Sequence, residues 1–406
     1  MKTYKNLMEQ IASKENIKVA ILNASKRKRN RADVKAVLDN MDFHIEKIQK
    51  ILLNGTFKPH VDSPCIVNEG THNKIRRIRK PHFVYDQIIH HCIIQILQPI
   101  FCVPMYQYSC GSIPKRGAHY GQKRIKKWLS RDIKNTKYIF KMDIKHFYES
   151  VDKEVLKAML KRKIKDWQAL ELIYTVIDGC EKGLPLGNYT SQWFANFMLT
   201  ELDHYIKEQL HAKYYMRYMD DIVIFGGNKK ELHKMHRAIE QFLRDKLHLR
   251  IKENWQVFRL EYKGRGRPLD FMGWQFYREK TILRKSIYVR IMRKARRVGK
   301  HTTIKGAQGM ISYMGYIQHT DTYGSYRENI RPYVNIGKLK KFVAKQERRK
   351  RNGIMRATCK KGMGKGTRVS GKVYGRAAGH RRTGRGQYHR QRRGTQNTGK
   401  IRIIRI

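Results

Sequence analysis

The sequence predicts an α+β fold in which an antiparallel sheet, with acids at its strand ends, is framed by amphipathic helices. Three observations carry this. Tyr138-Ile139-Phe140-Lys141-Met142-Asp143-Ile144 and Tyr215-Met216-Arg217-Tyr218-Met219-Asp220-Asp221-Ile222-Val223-Ile224-Phe225 have the β-branched and aromatic composition of strands. Each stretch is ended or broken by carboxylates, and Asp220 and Asp221 sit where a tight turn would join two strands. Elsewhere apolar residues recur at helical spacing, as at Val34, Val37, Leu38, Met41, Ile45, Ile48 and Leu52. An acidic doublet alone is an ordinary hairpin turn. Asp143 beside Asp220 is different, because clustered like charges are usually resolved by a divalent cation.

The rest of the chain is strongly basic. Lys and Arg number 88 against 33 Asp and Glu in 406 residues, a net charge of +55. Such an excess calls for a polyanionic partner, nucleic acid first and an anionic membrane second. No apolar run approaches the ~18 residues that span a bilayer, and Met1-Lys2-Thr3-Tyr4-Lys5 leads into no signal-peptide core. Cys65, Cys92, Cys102, Cys110, Cys180 and Cys359 form no CxxC pair, which argues against a zinc module or disulfide framework and for a reducing cytoplasm. His90-His91-Cys92 is a poor metal set, since adjacent side chains point apart.

Taken in order, residues 1–60 read as helices around the basic run Lys26-Arg27-Lys28-Arg29-Asn30-Arg31, a candidate for phosphate contact. Lys74-Ile75-Arg76-Arg77-Ile78-Arg79-Lys80 alternates as a strand with one cationic face does, and Pro81 ends it. Ile88 to Phe101 reads as a buried helix, and Tyr108 to Gly117 as a turn-rich segment before a basic helix. Residues 153–180 form a helical connector. In Gly183-Leu184-Pro185-Leu186-Gly187-Asn188, Gly and Pro set the chain to pass close over a ligand before a helix that starts near Thr190. Glu201–Leu210 and Glu231–Leu247 read as helices, and 280–350 as a helical region with Ile287, Ile291, Met310, Met314 and Ile317 on apolar faces. From Arg351 to Ile406 there is no Asp or Glu and few large apolar residues, so the segment reads as a disordered arm that orders on RNA or an acidic partner.

Tyr218-Met219-Asp220-Asp221 resembles the YxDD box of reverse transcriptases, and Asp143-Ile144-Lys145-His146-Phe147-Tyr148 resembles the first catalytic motif of that family. Five further blocks, at 74–80, 108–117, 183–196, 249–254 and 269–274, follow in the family's order. The resemblance runs from about Lys74 to about residue 340 and implies a right-hand polymerase. Residues 1–135 would be N-terminal helices and fingers, 136–275 the palm with its antiparallel sheet (154–190 partly fingers), 276–350 a helical thumb, and 351–406 the basic C-terminal arm. It implies an RNA-directed DNA polymerase whose catalytic Asp143, Asp220 and Asp221, with the main chain of Ile144, hold two Mg²⁺ ions. Lys74 and Arg76 would grip the triphosphate, with Arg79 as the spare. Ile144, Tyr148, Leu186, Gly187 and Lys252 would also meet the nucleotide, Tyr148 as a steric gate against a ribose 2′-hydroxyl and Lys252 as a phosphate contact or proton donor to pyrophosphate. Arg116, Gln192, Phe271 and Gly273 would meet template or primer, Gly273 by letting the backbone approach closely. The implied partners are an RNA template, a cDNA or primer strand and deoxynucleoside triphosphates, with no membrane.

The fourth block departs twice from the usual pattern, with Leu186 where Gln is common and Gln192 where Pro follows Ser. This Ser-Gln form, with Ser312-Tyr313-Met314-Gly315-Tyr316, is similar to the reverse transcriptases of diversity-generating retroelements. That likeness implies a template-repeat RNA copied into adenine-mutagenised cDNA, and a small basic accessory protein as partner. A Gln over the nucleotide can hydrogen-bond sugar and base; Leu186 offers shape alone, which weakens base selection without singling out adenine. The alternative is another bacterial reverse transcriptase of retron, phage-defence or group II intron type, the last disfavoured by a tail without an HNH-like His and Cys set. A non-catalytic RNA-binding scaffold would need only the charge, and the full set of acids opposes it.

Overall fold

The computed structural model describes residues 2–60, 65–69 and 74–362, with main chain alone at 68–69, 74–77 and 350–362. Two compact units divide at Arg284 and Lys285. The first opens with four helices, α1 (Leu7–Ile11), α2 (Lys14–Ala24), α3 (Ala32–Asp39) and α4 (Met41–Leu53). Ser13 caps α2 by accepting from the Asn16 N–H, and Ile17, Ala20, Ile21 and Ala24 form its buried stripe. Val34, Val37, Ile45, Ile48 and Leu52 are buried as their spacing predicts.

An antiparallel hairpin follows, β1 (Cys65–Glu69) with β2 (Lys74–Ile78). Helix α5 (Ile88–Cys102) is apolar around most of its circumference, so it packs against α1 and α2 on one side and a later helix on the other. Then come β3 (Ser109–Cys110), the basic helix α6 (Ala118–Arg131) and β4 (Tyr138–Asp143). Helix α6 buries Ile125, Trp128 and Leu129 and leaves its cations outside. The connector is α7 (Phe147–Ser150), α8 (Lys153–Lys163) and α9 (Trp167–Asp178), with Asp152 and Asp166 capping α8 and α9. Asp166 also accepts from the Leu7 and Met8 N–H groups (2.6 and 2.8 Å), which joins the N-terminal helices to the connector.

The packed centre is built from α10 (Tyr189–Met198), α11 (Thr200–His204), β5 (Tyr214–Tyr218), β6 (Asp221–Gly226), α12 (Lys229–Leu247) and β7 (Gln256–Arg259). One five-stranded sheet has the order β3-β5-β6-β4-β7, parallel only between β3 and β5. Helix α12 lays Leu232, Ile239 and Leu243 on β4, β6 and β7. The central strands are buried on both faces, which is why they read as nearly unbroken apolar runs. A small antiparallel sheet, β8 (Leu269–Phe271), β9 (Trp274–Phe276) and β10 (Thr281–Leu283), closes this unit.

The second unit is helical: α13 (Lys285–Lys300), α14 (Ile304–Ile317), α15 (Tyr323–Asn329) and α16 (Ile336–Gly362). Ile291, Met310 and Ile317 are buried, while Ile287 and Met314 are half-buried. Helix α16 continues through 351–362, so the first residues of the segment expected to be a disordered arm are helical; its remainder, 363–406, lies outside the described residues. Among the described residues no helix is long and apolar enough to cross a membrane.

Candidate active site

Strands β5 and β6 pair with Tyr218 across from Asp221, so Met219 and Asp220 are the two residues of the turn. Met219 takes φ 56, a left-handed conformation uncommon for a residue with a side chain. On the other side of β6 lies β4, and its last residue, Asp143, stands across from Asp221. The neighbour expected for Asp143 was Asp220; the register makes it Asp221, and Asp220 is reached one peptide later, where the Ile144 N–H donates to the Asp220 carbonyl (3.3 Å). Antiparallel pairing thus brings three acids from two distant segments to one end of the sheet. The 250–252 segment holds the end of β4: Lys145 N–H donates to the Arg250 carbonyl and Lys252 N–H to the Asp143 carbonyl, both at 2.9 Å.

Cations approach these acids from both sides. Lys252 Nζ lies 3.7 Å from Asp143 Oδ2, and Lys141 Nζ lies 3.9 Å from Asp221 Oδ1. Lys141 also donates to the Asp270 carbonyl (2.6 Å), and Arg284 Nε pairs with the Asp270 carboxylate (2.8 Å). A cleft of about 320 Å³ opens here, lined among others by Asp143, Asp221, Lys141, Asp270 and Arg284. Burial raises the Asp221 carboxyl to about 7; Asp143 and Asp220 add to the rise, and Lys141 and Arg284 oppose it. Asp221 Oδ1 is buried and has no hydrogen-bond partner. Among the described residues no trio of His, Cys, Asp or Glu side chains is gathered to hold a metal as it stands. An all-oxygen donor set with an orphaned buried oxygen and mutual repulsion nonetheless fits a hard divalent cation.

The fourth block meets main chain. Leu184 N–H donates to the Tyr148 carbonyl and Arg79 N–H to the Leu186 carbonyl, both at 2.7 Å. Gly183 has φ +60 and Gly187 φ +111; a Cβ would lie 2.3 Å from the Tyr148 oxygen at the first and 2.0 Å from the Arg79 oxygen at the second. The segment passes close over the protein backbone at both glycines: Gly183 lies against Tyr148, and Leu186 and Gly187 lie against Arg79, just past the end of β2. Lys74 and Arg76 lie two residues apart on β2; their side chains lie outside the described residues. The Arg79 guanidinium donates to the Gly179 carbonyl. Gln192 lines a second, larger cleft of about 770 Å³ with Gly187 and Tyr189, to which Lys28 and Arg31 of the basic run also contribute.

Other expected residues have places within the protein itself. Arg116 Nη1 donates to the Tyr106 carbonyl (2.9 Å) and braces its own loop. Phe271, expected to meet the primer, is fully buried in the protein. Met272 and Gly273, at φ 53 and 91, form the two-residue turn between Phe271 and Trp274, and that left-handed turn accounts for the glycine. Lys141, Asn196, Asp203, Arg217 and Asp270 contribute to the site or its support without having been expected. Of these, Arg217 and Lys141 carried a signal, each a cation inside an apolar strand.

The family model described as reverse transcriptase (RNA-dependent DNA polymerase) matches residues 68–276, just over half of the chain. The chain belongs to the reverse transcriptase family. Its mixed helix and sheet architecture fits the fingers, palm and thumb of that fold, and reverse transcriptase domains generally use divalent ions such as Mg²⁺. Among curated relatives, the group II intron-encoded protein LtrA of Lactococcus lactis subsp. cremoris is 29% identical over 198 residues, 45% of this chain and 32% of LtrA. The retron Ec73 reverse transcriptase of Escherichia coli is 28% identical over 200 residues, 42% of this chain and 61% of that protein. The match thus spans between about a third and three fifths of these relatives' length. Among solved structures, apo telomerase from Candida tropicalis truncated from its C-terminal domain aligns with a TM-score of 0.44 at 15% identity, over 59% of each chain.

Proposed function

We propose that this reverse transcriptase copies an RNA template into DNA, with the carboxylates of Asp143 and Asp220 holding a pair of Mg²⁺ ions and Asp221 supporting them. The observation that carries it is the register that sets Asp143 across from Asp221 and one peptide from Asp220. Bound Mg²⁺ would supply positive charge to the phosphates and lower the pKa of the primer 3′-hydroxyl. The protein's own part is alignment and electrostatics. Lys252, now 3.7 Å from Asp143, is placed to neutralise charge beside the acids. Lys74 and Arg76 on β2 would take the triphosphate, and the Leu186–Gly187 main chain anchored to Arg79 would hold the fingers strand against the nucleotide.

The finer reading is an error-prone enzyme of a diversity-generating retroelement, supported by Leu186 and by Ser191-Gln192. It would work with a basic accessory protein on a template-repeat RNA, its charge and arm binding that RNA. The likeness to a group II intron protein and a retron enzyme favours the second reading, another bacterial reverse transcriptase. One experiment separates them. Mg²⁺-dependent primer extension on RNA, followed by sequencing of the cDNA, should give errors concentrated at template adenines, and Leu186→Gln should lower their frequency. Errors spread evenly over the four bases would favour the second reading, and no extension at all would sink both.

Tyr148 tests the sugar contact. Tyr148→Ala should raise ribonucleotide incorporation by about 10- to 100-fold relative to deoxynucleotides, the range a removed steric or polar contact commands. Unchanged discrimination in a competition assay would remove Tyr148 from the gate.

A further inference from the structure

Behind the catalytic turn lies a buried polar network that polymerase chemistry does not itself require. Arg217 on β5 and Asp203 on α11 are both fully buried. They form a bidentate pair, Nε to Oδ1 at 2.8 Å and Nη2 to Oδ2 at 2.6 Å. Asp203 also accepts from the Ser109 hydroxyl (2.6 Å) and the Tyr215 hydroxyl (2.5 Å). The remaining Arg217 nitrogen, Nη1, donates to Asn196 Oδ1 at 2.9 Å and to the Met219 carbonyl at 3.1 Å. Asn196, on α10, donates to the Gly111 carbonyl (3.2 Å) and touches Met219 Sδ (3.3 Å). Met219 N–H donates to the Cys110 carbonyl at 3.1 Å. Both main-chain polar groups of the left-handed turn residue are therefore held from behind.

Stability alone gives no reason for this arrangement. A buried ion pair loses so much hydration that an apolar pair of similar volume usually does as well. What an apolar pair cannot do is hold the Met219 carbonyl. We propose that Arg217 and Asn196 are positioning residues of the polymerase site: they fix the Met219–Asp220 turn and lock it to α10 and to the Gly111 loop. Through them the helix that follows the Leu186–Gly187 loop and the turn that carries Asp220 share one rigid support. The inference rests on the polymerase reading of that turn.

Asn196→Ala is the first test, because it leaves the Arg217–Asp203 pair intact. In single-turnover extension of an RNA-templated primer, its rate constant should fall about 10- to 100-fold, the cost of a misplacement near 1 Å. Affinity for the primer–template should stay within about twofold, and hydrogen exchange at the Met219 amide should quicken while Ile139 and Phe140 in β4 keep their protection. The double variant Arg217→Met with Asp203→Leu removes the charges together and the bond to Met219 with them; if folded, it should show the same losses. A wild-type rate in either folded variant, or a rate loss without faster exchange at Met219, overturns the proposal. Should the double variant misfold, Asn196→Ala decides alone. A wild-type chain unable to extend any primer would sink the polymerase reading instead, and the exchange measurement would still judge the support of the turn.

Discussion

Asp143→Ala and Asp220→Ala should each lower RNA-templated primer extension by at least about 10³-fold, while RNA affinity changes less than about threefold. The two readouts part because the sources of binding and chemistry are separate. Binding draws on the excess of 88 basic over 33 acidic residues and scales with the phosphates neutralised, so one acid is a small fraction of it. Chemistry, on the proposed mechanism, depends on oxygen donors at one end of the sheet, where register has placed Asp143 against Asp221 and the Asp220 turn. A filter-binding titration and an extension assay on the same preparations check both halves. Full extension by either variant would end the assignment of these carboxylates.

Gly187→Ala should destabilise the first unit by about 2–5 kcal/mol, the sum of a strained φ and an overpacked contact. The new Cβ would stand 2.0 Å from the Arg79 carbonyl oxygen, and φ +111 is a conformation that L side chains rarely adopt. Relief requires the Leu186–Asn188 loop to leave the end of β2, breaking the Arg79 N–H bond to the Leu186 carbonyl. Nucleotide KM should rise with it. Gly55→Ala is the matched control: φ is +62, but nothing lies within 4 Å of the added carbon, so only the backbone strain of about 1 kcal/mol should appear. Denaturant unfolding of the pair measures the difference. Equal losses in the two variants would show that the Arg79 contact does not constrain the loop.

Much of the site was legible before folding was considered. Apolar strands bounded by acids mark where strands end, since β-branched and aromatic residues favour the sheet interior and a lone carboxylate is costly to bury there. Helical periodicity located α4, α5 and α12 because burial of one face repeats at 3.6 residues. The burial of Phe271, on the strand that pairs with Trp274, was not legible, because a buried ring and an exposed one look alike in a linear string. The glycines of the fourth block read as points of close approach, but the Arg79 carbonyl that meets Gly187 and the Tyr148 carbonyl that meets Gly183 come from segments about 108 and 35 residues earlier in the chain by position number. Helix α16 ran past Arg351 because helical hydrogen bonds are local and continue while the residues tolerate helix, which composition alone did not reveal.

By itself, then, the chain's order of residues pointed to the family, to three acids as candidates and to a polyanion as the expected partner, since these depend on residue type and spacing along one dimension. Tertiary structure alone decided which acid faces which, that Asp221 keeps a buried oxygen without a hydrogen-bond partner, and that Arg217, Asn196 and Asp203 brace the turn from behind. The physical reason is that strand register and the meeting of α10 and α11 with β5 are set by packing among distant segments. A local pattern records which side chains are present, and only the packed interior records which of them touch.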